Sequence, residues 1–294
     1  MSANWDKEKE LSNVFWLRLI TKLALKLPRW STRTLLHPIV FFFVLIAPNK
    51  RRASRHYLKQ VLSTTPRIWH IYKHFFWFAS ALLDRVYFLS NRHEVFEISY
   101  INREMVIETF EKNPGQFFLS GHIGSVEALR TQVSNLQYKI KPVIKLEQNQ
   151  TIVTLLEEIS PGFYNDIIPF EGLATTFNIY EHLKKGVSVA LLADRVIGDS
   201  QKVKVNFLGE QVYFSEGIFE MILRFPYPTN LFFCLYLGGN RYQVEYLKFD
   251  VKSSDTPTEL AQKFADQLEQ QCLKSPYNWF NFYTYWVEKD NENV

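Results

Sequence analysis

Cysteine is nearly missing from this chain, with two in 294 residues, Cys234 and Cys272, far apart and without histidine partners. That excludes a disulfide framework and a Cys/His zinc site, and it fits a reducing, cytosol-facing protein. The eleven Gly and twelve Pro are scattered, and no linker, low-complexity tract or internal repeat divides the chain. One catalytic domain is therefore expected over residues 63–294, preceded by a membrane-associating helical region over 1–62. The apolar run Leu35 to Ala47 (LLHPIVFFFVLIA) has thirteen residues, short of the roughly 20 that a membrane span needs. No small-residue cleavage site follows it, which argues against a secretory signal. A Gly-x4-Gly-Lys-Ser/Thr phosphate loop and an adenylate-forming motif are also missing, so nothing here would activate a free carboxylate.

Aromatic residues, by contrast, are abundant: 25 Phe, 15 Tyr and 7 Trp, or 16%. Most of them suit a core, and an excess suits contact with lipid, where amphipathic rings settle at the interface. Charge is unevenly placed. Residues 1–60 hold twelve Lys/Arg against three Asp/Glu, whereas the remainder holds 22 against 27. Phe15, Leu19, Leu23 and Leu27 recur at helical spacing with Arg18, Lys22 and Lys26 on another face, the pattern of an interfacial helix. Lys50, Arg51, Arg52 and Arg55 follow the apolar run, as expected for a cytoplasmic flank facing anionic lipid. Leu35 to Ala47 is then either bilayer-associated or a buried core helix. Basic charge set beside so much aliphatic surface points to a bilayer and not to nucleic acid.

From about Val95 the chain alternates strand-like and helical stretches. Strand-like runs are FEISYI, QFFLS, KIKPVIKL, DIIPF, VSVALLA, KVKVNFL, NLFFCLYL and YQVEYLKF. Helices are expected over 102–112, 125–135, 151–159, 174–184, 215–224 and 258–273, after a long aromatic helix over 68–89. This predicts an α/β domain with a mixed, mostly parallel central sheet flanked by helices, and YQVEYLKF as a late antiparallel addition. Ligands of such sheets bind beyond the carboxyl ends of the strands. His70 and His74 share a helical face in the long helix, but no carboxylate or Cys lies near, so they do not spell a metal site.

The segment QFFLSGHIGSVEALR (Gln116 to Arg130) carries the chemistry. An apolar strand stops at Ser120-Gly121, and Ser125 is placed to cap the next helix. His122 sits on the turn, and Glu127, one turn into that helix, is placed to reach back to the imidazole. A carboxylate on one ring nitrogen leaves the other free to take a proton. Such a pair, with no Ser or Cys nucleophile beside it, suits activation of a substrate hydroxyl. Asp194, at the end of VALLAD, either faces the same cleft or caps the next loop. Arg195 either holds a phosphate or pantetheine-linked group or is a solvated charge. Trp279 and Tyr283 read as packing or interfacial anchors.

The apolar strand followed by Gly-His-x-Gly-x-x-Glu resembles the first block of the lysophospholipid acyltransferase superfamily, His-x4-Asp/Glu. Within it the chain is most similar to the lipid A late acyltransferase branch, the lauroyl and myristoyl transferases. VSVALLADRVIGDSQKVKVNFLGE (Val187 to Glu210) is similar to that branch's strand ending in Asp, loop and Phe-Phe-Gly-like step, here Phe207-Leu208-Gly209. SPYNWFNFYTYW (Ser275 to Trp286) is similar to its Pro-x-x-Trp-x-x-x-x-aromatic tail, and APNKRRASRHYLKQVL (Ala47 to Leu62) to its basic stretch after the membrane anchor.

The resemblance implies an O-acyltransferase on the cytoplasmic face of the cell inner membrane, with an acyl carrier protein or acyl-CoA thioester as donor and a lipid or glycolipid acceptor. His122 and Glu127 would be catalytic, with Gly121, Gly124, Ser125, Asp194 and Arg195 in the substrate site. No metal or organic cofactor is implied. Two departures bear on the acceptor. Leu156 to Phe170 lacks the branch's Arg-x-x-Gly element, and Asp194-Arg195 stands where Asp-Gln or Asp-His is usual. Acceptors other than lipid A, such as a lysophospholipid or polyene-type lipid, and a non-catalytic lipid-binding protein of the same fold, are the alternatives.

Overall fold

The computed structural model describes residues 21–129, 138–145, 150–196, 201–283 and 285–286. After a helical stretch over 21–26 come three helices: α1 (Arg29–Ile46), α2 (Pro48–Val61) and α3 (Ile68–Leu89). Strand β1 (Glu97–Ile101) and helix α4 (Arg103–Lys112) lead into β2 (Phe117–Ser120). Next are β3 (Ile140–Ile144), α5 (Gln150–Ile159), β4 (Ile168–Pro169), α6 (Leu173–Lys184) and β5 (Ser188–Leu192). The chain continues through β6 (Lys202–Phe207), β7 (Glu210–Ser215), α7 (Glu216–Arg224), β8 (Thr229–Gly238), β9 (Arg241–Lys248) and α8 (Pro257–Lys274). The expected mixed α/β architecture is present. Seven strands form one sheet in the order β1-β9-β8-β2-β5-β3-β4, parallel at every junction except β8–β9. YQVEYLKF is the antiparallel addition that its late position suggested.

Strand β2 lies at the centre with all four residues buried, which is why its sequence is a continuous apolar run and not an alternating one. Two expectations are corrected. KVKVNFL does not join the main sheet; as β6 it pairs with β7 in a separate two-stranded hairpin, turned through Leu208 and Gly209, both at positive φ (52° and 80°). The helix expected over 125–135 is a 3-10 turn over Val126–Leu129, and its remainder lies outside the described residues. Ser125 does not cap it: its hydroxyl donates to the Glu127 carboxylate (3.2 Å) and its amide to the Cys234 carbonyl (3.0 Å).

Of the interfacial helix expected around Phe15 to Leu27, residues 15–20 lie outside the described residues, and 21–26 are helical. Helix α1 has two faces. Leu36, Val40 and Val44 are buried in the same core as β2 and α3, while Leu35, Phe41, Phe42, Phe43, Leu45 and Ile46 are exposed. Its first turn is fastened by Arg29, whose guanidinium donates twice to the buried Asp84 of α3 at 2.6 Å; Tyr242 of β9 donates to the same carboxylate at 2.7 Å. Burial raises the Asp84 pKa, and the Arg29 charge and both sets of hydrogen bonds oppose that. Helices α1 and α2 meet at 97°, and among the described residues no single helix is long and apolar enough to cross a membrane. Arg51, on α2, donates through Nη1 to the carbonyls of Val44 and Leu45, satisfying acceptors that the end of α1 leaves open. Helix α3 is a core helix, with thirteen of its 22 residues buried.

Candidate active site

Strands β2 and β5 are parallel neighbours, with Ser120 paired to Leu192 and the Ala193 amide donating to the Ser120 carbonyl (2.8 Å). Two residues further on each strand come His122 and Asp194. The register therefore delivers them side by side at the carboxyl edge of the sheet, where such folds bind their ligands. His122 Nδ1 lies 2.6 Å from Asp194 Oδ1, and the His122 backbone N–H donates to Asp194 Oδ2 at 2.9 Å. A carboxylate on Nδ1 fixes that nitrogen as the proton-bearing one and leaves Nε2 as the basic lone pair. The His122 side chain is 29% exposed, whereas Asp194 is wholly buried.

Burial alone would push the Asp194 pKa up. The His122 ring and amide and the Arg195 charge overcome it and hold the carboxyl at about 2, so Asp194 is an anion at neutral pH. Gly121 makes this closeness possible, since a Cβ there would stand 3.2 Å from the Asp194 carboxyl carbon and 2.9 Å from Leu268 Cδ1. Gly124 is equally constrained, with φ +63° and the Cys234 carbonyl oxygen 1.7 Å from where a Cβ would be.

Glu127 is not the partner of the imidazole in this structure. Its carboxylate lies 2.6 Å from Arg85 Nε of α3 and accepts from the Ser125 hydroxyl. The tight 3-10 turn, in place of the expected α-helical one, carries Glu127 towards α3 and leaves Nδ1 to Asp194. The amides of His122, Ile123, Gly124 and Ser125 are committed to Asp194, Gly121 O, Asn278 O and Cys234 O, and so are not open to a developing oxyanion.

The carboxy-terminal tail supplies what sequence reading missed. Trp279 pairs with Ile123 as an antiparallel bridge, Asn278 accepts from the Gly124 amide (2.8 Å), and Phe280 donates to the His122 carbonyl (2.8 Å). Threaded there, Trp279 Nε1 donates to Asp194 Oδ2 (3.0 Å), as does the Asn281 carboxamide (3.3 Å), and the Tyr285 hydroxyl donates to the Asp194 carbonyl. Arg195 turns inward to this tail, donating to Asn281 Oδ1 (2.7 Å) and the Phe280 carbonyl (3.0 Å), with its guanidinium 5.4 Å from the Tyr283 ring centre. The signal available in the sequence was the pair of asparagines set among four aromatics in Ser275 to Phe282, polar groups that an all-apolar anchor has no use for.

A histidine aligned by a buried carboxylate, partly exposed and without a neighbouring Ser or Cys nucleophile, can remove a proton from a substrate hydroxyl and return it to a leaving group. No curated protein sequence matches the chain. The family model described as bacterial lipid A biosynthesis acyltransferase matches residues 11–288, nearly the whole length. The chain belongs to that family and is an acyltransferase.

Proposed function

We propose that this acyltransferase moves a fatty acyl chain from an acyl carrier protein or CoA thioester to a hydroxyl of a lipid A-type glycolipid, with His122 as general base. The His122–Asp194 pair carries the reading. Nε2 takes the proton of the acceptor hydroxyl as its oxygen bonds to the thioester carbonyl carbon. When the tetrahedral adduct collapses, the C–S bond breaks and the imidazolium returns the proton to the departing thiolate. Asp194 holds the ring and stabilises its charged form, and no step needs a free carboxylate to be activated. Between the two donors the reading favours the carrier protein, an acidic partner suited to the basic amino-terminal region.

Attachment to the cytoplasmic face of the inner membrane belongs to the same proposal. Its support is the exposed end of α1, Phe41 to Phe43 with Leu45 and Ile46, next to the exposed Lys50, Arg52 and Arg55 of α2. Apolar side chains beside basic ones suit an anionic bilayer surface.

The test is direct. Purified protein is given under-acylated lipid A and lauroyl-acyl carrier protein, lauroyl-CoA, or free laurate with ATP. Transfer from a thioester is expected. Transfer from free acid and ATP alone, with neither thioester used, would end the proposal. In cells, loss of the gene is expected to yield an envelope glycolipid lighter by one acyl chain in mass spectra.

A further inference from the structure

We propose that Trp279 is a positioning residue of the reaction centre, its indole N–H locking the Asp194 carboxylate so that a single oxygen is left for His122. The inference rests on the reading of His122 as the base. Three donors converge on Oδ2: the His122 amide at 2.9 Å, Trp279 Nε1 at 3.0 Å and Asn281 Nδ2 at 3.3 Å. Among the described residues, Oδ1 meets the His122 ring alone, at 2.6 Å. The terminal torsion of an aspartate is soft and roughly two-fold, so nothing intrinsic to the side chain chooses its angle. Three donors on one oxygen choose it, because rotation would strip hydrogen bonds from a buried anion.

Trp279 is itself immobilised. Its side chain is fully buried, with ring centres of Tyr57, Phe207 and Tyr285 at 4.9, 5.2 and 4.8 Å. Its carbonyl accepts from Nε2 of the buried His74 at 2.8 Å, so His74 Nδ1 is the acceptor for the Ser54 hydroxyl at 2.9 Å. A line of contacts thus runs from α2 through α3 and the tail to the base. A buried Trp usually finds a partner for its N–H. Here that partner is the carboxylate that orients the proposed base, which a mere filler of space would not require.

The full-length chain is assayed with lauroyl-acyl carrier protein and under-acylated lipid A. Trp279→Phe keeps a ring and removes the donor, and should lower kcat by about 10- to 100-fold, the scale of one hydrogen bond to a charged group. KM for the thioester should be unchanged. The acid limb of the kcat/KM profile should move to higher pH, because a carboxylate relieved of a donor holds the His122 proton more firmly. The other titratable groups around Asp194, namely Arg195, Tyr283, Tyr285 and Cys272, are left in place. Trp286→Phe, in the same cluster 5.9 Å from the Phe207 ring, serves as the packing control and should leave kcat and the acid limb as they are. Unchanged kcat and acid limb in Trp279→Phe, with Asp194→Asn inactive, overturns the inference alone. Full activity in Asp194→Asn removes the reading of the base instead. Should Trp279→Phe fail to fold, Asn281→Ala decides: a lower kcat with the same shift supports the lock, and wild-type kinetics overturn it.

Discussion

Asp194 meets His122 twice, through the ring nitrogen with one carboxylate oxygen (2.6 Å) and through the backbone N–H with the other (2.9 Å). Orientation of the imidazole and of the turn that carries it therefore come from one side chain. Replacing either partner should cost activity well before it costs the fold.

His122→Ala is expected to lower kcat/KM by about 10²–10⁴-fold, the usual contribution of a general base. Asp194→Asn should lose on the order of 10³–10⁴-fold, since a neutral amide neither selects the tautomer nor stabilises the imidazolium. Steady-state kinetics on folded variants check both. Near-normal turnover in His122→Ala would end the assignment of the base.

Glu127 should act through Arg85. The two are 2.6 Å apart, a charge contact between Glu127 with 14% side-chain exposure and Arg85 with 36%. The solvent access of the arginine keeps the energy modest. A double-mutant cycle with Glu127→Gln and Arg85→Met is expected to give about 0.5–1 kcal/mol of coupling in stability. If Glu127 held the imidazole directly, its loss would reproduce the kinetics of Asp194→Asn, and additivity with Arg85 would follow.

Acid should weaken the fold at two places. His74 is wholly buried, and burial lowers its pKa to about 4 even though its bond to the Trp279 carbonyl works the other way. The unfolded chain binds that proton near pH 6.5 and the folded chain only near 4, so stability falls as pH drops from about 6.5 to about 4, by up to about 3 kcal/mol. Asp194, held at about 2, contributes stability that is present above its unfolded value and is lost as pH falls from about 4 towards 2. Thermal melts of wild type and His74→Asn between pH 7 and pH 4 should converge as pH falls. Parallel curves would mean that His74 is protonated in the fold or does not titrate there.

The sheet was legible because its central strands are buried on both faces and bounded by turns, as in FFLS and VALL. Seven of the nine strands found pair in that sheet. The strand β7 went unread because EQVYFS begins with two polar residues and pairs with its neighbour β6 and not with the main sheet. The placement of His122 on a turn at the strand end was legible from Gly-His-x-Gly. The carboxylate that meets its ring was not, because spacing along one helix favours Glu127, whereas Asp194 is 72 residues away and becomes adjacent only through the β2–β5 register. The contacts of Trp279 and Asn281 with Asp194 were hidden for the same reason: they depend on the tail being threaded against His122 and Gly124.

The last expectation concerns the amino-terminal helices. Phe41, Phe42 and Phe43 are more than half exposed, while Leu36, Val40 and Val44 on the opposite face are buried. Changing the three phenylalanines to serine therefore removes apolar surface from outside the core and should spare the fold. If that surface enters a bilayer, each ring withdrawn from water contributes about 1.5–3 kcal/mol when fully buried, so the triple variant should largely leave sedimenting anionic vesicles. High salt should extract the wild-type protein poorly, since it screens the Lys50, Arg52 and Arg55 charges and not apolar burial. Arg52→Glu with Arg55→Glu should instead weaken binding to anionic vesicles and leave binding to neutral ones unchanged. Complete release of wild type by salt, with the serine variant bound as well as wild type at low salt, would make the attachment electrostatic and leave the exposed end of α1 without a part in it.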